Sequence, residues 1–203
     1  MFYSEHGQDK WLAENVFKDQ HGGTFVEFGA IDGLITSNTL HFGRHKHWRG
    51  LLIEANPFEF AKIAKNRPDC VALNAAIADV SGFKDFAVCG VTGWSGLVEH
   101  LGDKNLQRMR ATGEEPEIIK VRCMPLKDAL SEFGMNRVDY MSIDIEGAEY
   151  AALKEFPFAS YDIDVIDIEN NYGDTKVPEL MLKNGYEKIT TIGINDIYRK
   201  VRK

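Results

Sequence analysis

Apolar positions alternate between helical and strand-like spacing from residue 7 to residue 78. Apolar side chains recur at helical spacing over residues 7–18. Two further helices are predicted, one with Ser37 as a candidate N-cap and one opened by Pro57. Between the helices, short runs rich in β-forming residues predict strands over residues 24–28, 50–54 and 71–78. Strands that alternate with helices predict a parallel sheet covered by helices.

The alternation is interrupted over residues 81–121 and then resumes. The interrupted segment predicts strands over 83–88 and 118–124 and a polar loop over 108–116. Later elements are helices over 126–133, 148–156 and 177–183 and strands over 138–143 and 163–168. The last two strand-like runs, 186–192 and 194–201, are separated only by Gly193 and predict an antiparallel hairpin.

Length and composition predict one α/β domain over residues 1–203. The chain is 44% hydrophobic and 27% charged, which is ordinary for a globular protein and excludes a disordered or low-complexity chain. An N-terminal helix is expected within residues 1–20, and residues 83–120 are expected to form an irregular insertion that shapes the site of a second substrate.

Charge and cysteine content predict a cytoplasmic protein without a nucleic-acid or membrane partner. The net charge of -7 gives no general attraction to phosphates or anionic lipids. The cysteines Cys70, Cys89 and Cys123 are too few and too widely spaced for a disulfide framework. The N-terminal residues have no basic segment followed by an apolar one, so no secretion signal is predicted.

Acidic side chains follow four of the predicted strands. The carboxyl ends of parallel strands meet at one edge of the sheet, where open α/β folds bind their ligands. The side chains concerned are Glu27 and Asp32 after the first strand, Glu54 after the second, Asp144 and Glu146 after residues 138–143, and Glu169 with Asn170 after residues 163–168. This edge is expected to repel phosphate groups and to favour a cation, a hydroxyl-rich ligand or a metal.

The glycine turn after the first strand differs from a dinucleotide-binding fingerprint. Ile31 stands where that fingerprint has its second glycine, which disfavours close approach of a pyrophosphate. Glu54 follows Gly33 by 21 residues, close to the spacing of about 20 typical of a carboxylate that binds a ribose diol. An adenosyl ligand without a phosphate fits both features. We expect the ligand to approach the main chain at Gly29, so that a side chain there would block it.

Several segments together resemble the FkbM-type methyltransferases. They are residues 24–33 (TFVEFGAIDG), 37–39 (SNT), 50–54 (GLLIE), 74–77 (NAAI) and 142–149 (SIDIEGAE), and the opening residues 4–9 (SEHGQD) also match. The resemblance covers nearly the whole chain and is weakest in the middle, at about residues 83–120. Ser142 stands where many members of the family have a lysine.

The resemblance implies a Rossmann-like class I methyltransferase dependent on S-adenosylmethionine (SAM). It implies a mostly parallel seven-stranded sheet with an antiparallel C-terminal hairpin, helices on both faces, and O-methylation of a hydroxyl on a small molecule or carbohydrate. The cofactor-binding residues that it indicates are Glu27, Gly29, Asp32, Gly33, Ser37, Asn38, Glu54, Ala55, Ala76 and Asp144. The sequence indicates neither the acceptor nor the oligomeric state, and a homodimer is one option.

Two versions of the chemistry remain open. In one, Asp144, Glu169 and Asn170 form an oxygen-rich site for Mg²⁺ or another divalent cation. In the other, Asp144 or Glu146 is a metal-free general base, and His100 is a further candidate for that role. Glu149 is expected only to cap the following helix.

Other interpretations also remain. A nicotinamide-dependent oxidoreductase is one alternative, and a SAM-binding module without turnover is another. His41 and His45 have a spacing that can bind zinc, although no further ligand is evident nearby. Residues 94–97, which include Trp94, are candidates for the acceptor pocket.

Overall fold

The chain forms two β-sheets, with helices packed against the larger one. A computed structural model describes residues 1–91, 93–113, 115–171 and 173–202. The strands are β1 (Thr24–Phe28), β2 (Arg49–Glu54), β3 (Val71–Asn74), β4 (Ala76–Ile77), β5 (Gly82–Val88), β6 (Gly96–Leu97), β7 (Glu117–Met124), β8 (Arg137–Ile143), β9 (Asp162–Glu169), β10 (Tyr186–Ile192) and β11 (Asn195–Lys200). The helices are α1 (Gln8–Asn15), α2 (Leu40–Lys46), α3 (Pro57–Asn66), α4 (Asp103–Arg110), α5 (Leu126–Glu132), α6 (Glu149–Leu153) and α7 (Lys176–Lys183), with a 3₁₀ turn at Phe158–Ser160.

The larger sheet has seven strands in the order β10-β11-β9-β8-β1-β2-β3. Strands β3, β2, β1, β8 and β9 are mutually parallel. Strand β11 runs antiparallel to both of its neighbours, β9 and β10. The predicted parallel sheet and its C-terminal hairpin are therefore confirmed.

Alternate side chains of the sheet pack into two separate cores. On β1, Val26 and Phe28 join a core that includes residues of α5, α6 and α7. Phe25, the second residue of β1, joins the opposite core, which includes residues of α1, α2 and α3. Because both faces are covered, the central strands are almost continuously apolar, as expected for a parallel sheet. The prediction of helices on both faces is confirmed.

The middle of the chain is more regular than the sequence suggested. Strands β4, β7, β5 and β6 form a second sheet of four strands. The expected strand over residues 71–78 is in fact two strands, because the chain leaves the large sheet after Asn74 and enters the small one at Ala76. The expected loop over 108–116 is also partly wrong, since α4 extends to Arg110. No helix in the described part of the chain is long and apolar enough to cross a bilayer.

The turn after β1 lies directly against the main chain that follows β8. Gly29 has a positive φ of 70°, and a Cβ at this position would overlap the carbonyl oxygen of Asp144. The absence of a side chain therefore allows two strand ends to meet. This differs from the expectation that Gly29 leaves space for a ligand, because the space is occupied by protein.

We predict that Gly29→Ala destabilises the fold itself. Gly22 provides a matched control, since it has the same φ of 70° but no atom within 4 Å of the position that a Cβ would take. Gly22→Ala should cost about 1–2 kcal/mol from the left-handed backbone alone. Gly29→Ala should cost about 1–3 kcal/mol more, because a side chain must be forced into a packed space. Denaturant unfolding of both variants measures the difference, and equal losses of stability would contradict the close contact with Asp144.

Candidate active site

A cavity of about 350 Å³ opens at the carboxyl ends of the parallel strands. It lies where β1 is flanked by β2 on one side and β8 on the other, which is the position at which the strand order reverses. Residues of the small sheet and of α4 complete the wall. The chain thus places one cavity at the edge of the sheet that the sequence indicated.

The cavity wall is rich in acidic side chains. Arg108 is the basic residue among the described lining residues. The acidic lining residues number seven: Glu5, Glu27, Glu54, Glu59, Asp144, Glu146 and Glu169. Such a wall attracts a cationic ligand and repels an anionic one.

Glu54 closes the end of β2 against the glycine turn. Its Oε2 accepts a hydrogen bond from the main-chain N–H of Ile31 at 2.8 Å, and its Oε1 accepts one from Asn56 at 2.7 Å. Burial raises the pKa of Glu54 to about 7. Each oxygen keeps a further lone pair, so the carboxylate has capacity to accept hydrogen bonds from a diol.

Glu27 holds the segment that precedes α2. Its carboxylate accepts hydrogen bonds from the Ser37 hydroxyl at 2.8 Å, from the Asn38 N–H at 2.7 Å and from the Thr39 hydroxyl. Burial raises the pKa of Glu27, although these hydrogen bonds oppose the shift. Since its acceptor capacity is largely used, Glu27 shapes the cavity more than it offers a free ligand group.

In the segment before α2, Asn38 lines the cavity together with Ile35 and Thr36. Its amide nitrogen donates to the Ser142 hydroxyl at 2.9 Å. The amide oxygen is buried and has no hydrogen-bond partner among the described residues. Ser37 does not line the cavity, and instead its hydroxyl accepts the Leu40 N–H at 3.1 Å at the start of α2.

Asp32 and Gly33 belong to the glycine turn but do not line the cavity. The Asp32 carboxylate accepts the N–H groups of Leu34 and Ile35, both at 2.9 Å. Gly33 packs on the side chain of Arg67, whose guanidinium donates to the Gly33 carbonyl at 3.2 Å. The sequence-based expectation of direct cofactor contact is therefore replaced by a supporting role, whereas Ala55 and Ala76 do line the cavity.

Three carboxyl groups meet at the ends of β8 and β9. Asp144, Glu146 and Glu169 each place an oxygen within 4.8 Å of the others. Burial raises the pKa of both Asp144 and Glu169, and their hydrogen bond requires that one of them holds a proton. Burial and the nearby Asp144 carboxyl also raise the pKa of Glu146, to about 8. Glu146 is therefore largely protonated at neutral pH, and its carboxylate, once formed, is a stronger base than an ordinary carboxylate.

Among the described residues, the same cluster is the group of carboxyl oxygens that could hold a metal. Carboxylate oxygens are suitable ligands for Mg²⁺ or Ca²⁺. The predicted third ligand, Asn170, is not part of the set, because its amide oxygen accepts the Asp174 N–H at 2.8 Å and its amide nitrogen donates to the Asp174 carbonyl and to Asp196, both at 3.3 Å. Glu146 takes its place. This correction follows from the turn after β9, which draws the Asn170 amide into the loop.

Glu146 and Glu149 have different surroundings although they are close in sequence. Glu146 has a positive φ of 55°, a conformation rarely adopted by residues other than glycine. Glu149 accepts the N–H groups of Ile145 at 3.0 Å and Gly147 at 3.2 Å. The expectation that Glu149 caps its own helix is wrong, because its carboxylate holds the turn that precedes α6 and no side chain caps that helix.

The histidine candidates lie away from the cavity wall. His100 follows β6, with its Nε2 atom 3.3 Å from the Glu99 carboxylate. His41 contacts the Met1 carbonyl at 2.9 Å, and His45 contacts the Tyr3 hydroxyl at 3.3 Å. In the described part of the chain, neither His41 nor His45 belongs to a group of three potential metal ligands.

Glu5 and Arg108 line the cavity, although neither of them is assigned a role from the sequence. Trp94, a candidate for the acceptor pocket, lines it as well. Glu5 is carried by a turn in which the Ser4 hydroxyl and the Tyr3 N–H both donate to the buried Asp9 carboxylate at 2.6 Å. The opening motif at residues 4–9 was the signal that could have identified it. The guanidinium carbon of Arg108 is 3.4 Å from the centre of the Trp94 indole ring.

Comparison with known proteins identifies the fold. The METTL16 methyltransferase domain has a TM-score of 0.55 at 10% identity over 94% of this chain and 65% of its own. Fibrillarin of Aeropyrum pernix, solved with natively bound S-adenosyl-L-methionine, has a TM-score of 0.53 at 8% identity over 98% of this chain and 74% of its own. The expected Rossmann-like methyltransferase fold is thus confirmed.

An FkbM methyltransferase from Methylobacillus flagellatus KT has a TM-score of 0.49 at 14% identity over 89% of this chain. The chain spans only 44% of that protein and 65% of the METTL16 domain. No curated protein matches this chain.

The family is identified from the sequence profile of the methyltransferase FkbM domain, which matches residues 27–188. This region extends from β1 into β10 and contains the glycine turn, Glu54 and the three-carboxyl cluster. On that match, the chain belongs to the FkbM methyltransferase family.

Proposed function

We propose that this protein binds SAM and transfers its methyl group to a hydroxyl oxygen of a small molecule or carbohydrate. The observation that carries the proposal is the acidic cavity at the reversal point of the sheet, with Glu54 at one end and the carboxyl cluster at the ends of β8 and β9. Membership of the FkbM family supports the same reaction class.

The cavity residues fit the chemical groups of SAM. Glu54 has acceptor capacity for the two ribose hydroxyls, while Ala55 and Ala76 leave room for a flat apolar base. The acidic wall offsets the positive charges of the sulfonium and the ammonium groups. When bound, SAM supplies an electrophilic methyl group that is already activated for displacement.

Asp144 is proposed as the proton acceptor. As the new bond from acceptor oxygen to methyl carbon forms, the carbon–sulfur bond breaks with its electron pair on sulfur, and the hydroxyl proton passes to the Asp144 carboxylate. The hydrogen bond with Glu169 orients that carboxylate. Alignment of the hydroxyl and the methyl group in a cavity shielded from water lowers the reaction barrier further, an effect worth roughly 7–11 kcal/mol in favourable cases.

A metal-assisted version uses the same residues differently. Asp144, Glu146 and Glu169 would hold a divalent cation, which lowers the pKa of an acceptor hydroxyl. The proposal of Mg²⁺ rests on the donor chemistry of the three carboxyl groups.

The rival functions fit the cavity less well. A nicotinamide dinucleotide carries a pyrophosphate, which the acidic wall repels and which Ile31 prevents from approaching the turn. A module that binds SAM without turnover would have no use for a cluster of carboxyl groups beside the sulfonium.

We predict that Glu54→Ala weakens binding of S-adenosylhomocysteine (SAH) by about 1.5–3 kcal/mol, the usual worth of hydrogen bonds to a charged group. Glu59→Ala is the control, because Glu59 lines the same cavity but pairs with Lys62 at 2.8 Å. Isothermal calorimetry should show a much smaller change for the control. Unchanged affinity in Glu54→Ala would remove Glu54 from the binding site.

We predict that Asp144→Asn lowers turnover by roughly 100-fold or more, the usual contribution of a general base. Asparagine keeps the size of the side chain but loses the charge, so SAH affinity should change far less than turnover. Methyl transfer is measured on an acceptor found by screening sugars and phenols. A fully active Asp144→Asn enzyme would contradict the assignment of Asp144.

Chelation separates the two versions of the chemistry. In the metal-assisted version, a chelator abolishes wild-type turnover, added Mg²⁺ or Mn²⁺ restores it, and Glu169→Gln weakens the metal dependence. If chelation has no effect and Asp144→Asn is inactive, Asp144 acts without a metal.

We predict that SAM stabilises the protein more than SAH does, and that the difference grows with pH. The folded-state pKa values of Glu54 and Glu146 are raised to about 7 and about 8 from a reference value of 4.5. Their contribution to stability is therefore present below about pH 4.5 and is lost as pH rises to about 8. The sulfonium charge of SAM offsets this loss, whereas SAH has no such charge.

The measurement is the shift in melting temperature with saturating SAM or SAH at about pH 6 and about pH 8. Glu146→Gln should reduce the pH dependence of the difference. A difference between the two ligands that is the same at both pH values would contradict the placement of the sulfonium near Glu146.

A further inference from the structure

We propose that the methyl acceptor carries an oxyanion group, a carboxylate or a phosphate, and that Arg108 binds it. This inference rests on the proposed function, because it assigns the second substrate of the same cavity. It is carried by the stacked pair of Arg108 and Trp94.

The face of the Arg108 guanidinium is occupied, but its edge is free. The guanidinium carbon lies 3.4 Å above the centre of the Trp94 ring. Among the described residues, no carboxylate lies within ion-pair distance of Arg108 and none of its N–H groups has a hydrogen-bond acceptor. Stacking through the face leaves the planar fork of N–H donors available for a carboxylate or phosphate.

The position of Arg108 connects it with the reacting end of the cavity. Asn105 lies one helical turn before Arg108 on α4, and its amide nitrogen is 3.5 Å from the Glu146 carboxylate. The charge of Arg108 also lowers the pKa of Glu146 against the larger effect of burial. Arg108 therefore lies beside the three-carboxyl cluster, whereas Glu54 lies at the end of β2.

The charges of the cavity wall favour one orientation of the acceptor. An anionic group is repelled by the ionised acidic residues of the wall and attracted at Arg108. The acceptor would therefore enter with its oxyanion at Arg108 and its hydroxyl toward Asp144. The exposed position of Arg108 places the anion at the mouth of the cavity, where it keeps contact with water.

The test compares pairs of probes in which one member carries a carboxylate or phosphate group that the other lacks. Glucuronate and glucose, 3,4-dihydroxybenzoate and catechol, and glycerol 3-phosphate and glycerol are titrated by calorimetry into protein saturated with SAH. At least one anionic probe should bind about tenfold more tightly than its neutral partner, as expected for charge-assisted hydrogen bonds. Arg108→Gln should remove that preference.

Arg110→Gln is the matched control. Arg110 is on the same helix, and its guanidinium pairs with Glu115 at 2.9 Å outside the cavity wall. This variant should keep the preference for the anionic probe. If no anionic probe binds more tightly than its neutral partner, or if both variants lose the preference equally, the inference is wrong.

SAH binding separates this inference from the proposed function. Arg108→Gln should bind SAH with unchanged affinity, since the residues proposed to hold the nucleoside, Glu54 and Ala76, belong to β2 and β4 and Arg108 belongs to α4. A loss of SAH affinity in this variant would mean that Arg108 binds the carboxylate of SAH itself, and would overturn the inference. A wild-type protein that binds no SAH would instead contradict the methyltransferase proposal. In that case the probes are titrated into the protein alone, and the Arg108 comparison still decides the inference.

Discussion

Burial of several carboxyl groups at one edge of a parallel sheet is the constraint around which this site is built. A buried carboxylate is costly unless donors or positive charge compensate it. Glu54 and Glu149 each receive two main-chain N–H groups, and Glu27 receives hydroxyl and N–H donors from the segment before α2. Asp144 and Glu169 have no such donors among the described residues and share a proton instead. The carboxylates that receive hydrogen bonds from the protein shape the cavity. Asp144 and Glu169, which receive none from main-chain N–H groups of the described residues, are available for chemistry.

The sequence predicted the large sheet well because its signals are local. Alternating apolar strands and amphipathic helices specify a parallel sheet. The terminal hairpin is specified by two strand-like runs that only Gly193 separates. Glu54 and Asp144 could be placed at the cavity because each lies at a strand end, whereas Ala76 was placed there by the family resemblance. The positions of Glu54 and Asp144 depend on topology alone.

Other features depend on contacts between distant segments, which the sequence does not display. The role of Gly29 depends on the Asp144 carbonyl, and the position of Asn170 depends on Asp196. Glu146 rather than Asn170 completes the carboxyl cluster because of the conformations of the turns that follow β8 and β9. Arg108 appeared to belong to a polar loop because α4 has few apolar residues to give a helical pattern.

The passage from β3 to β4 has a consequence for how the family can vary. Over residues 75–78 the side chains alternate, with Ala75 and Ile77 in the core of the large sheet and Ala76 in the core of the small one. Four consecutive residues thus join two cores by the two-residue period of an extended chain. An inserted or deleted residue here would exchange the two cores between the side chains that follow in β4, including Ala76 and Ile77 on the cavity wall. The number of residues in this segment is therefore under tighter control than their identity, and a change in ligand size is more readily accommodated by substitution than by a change in length.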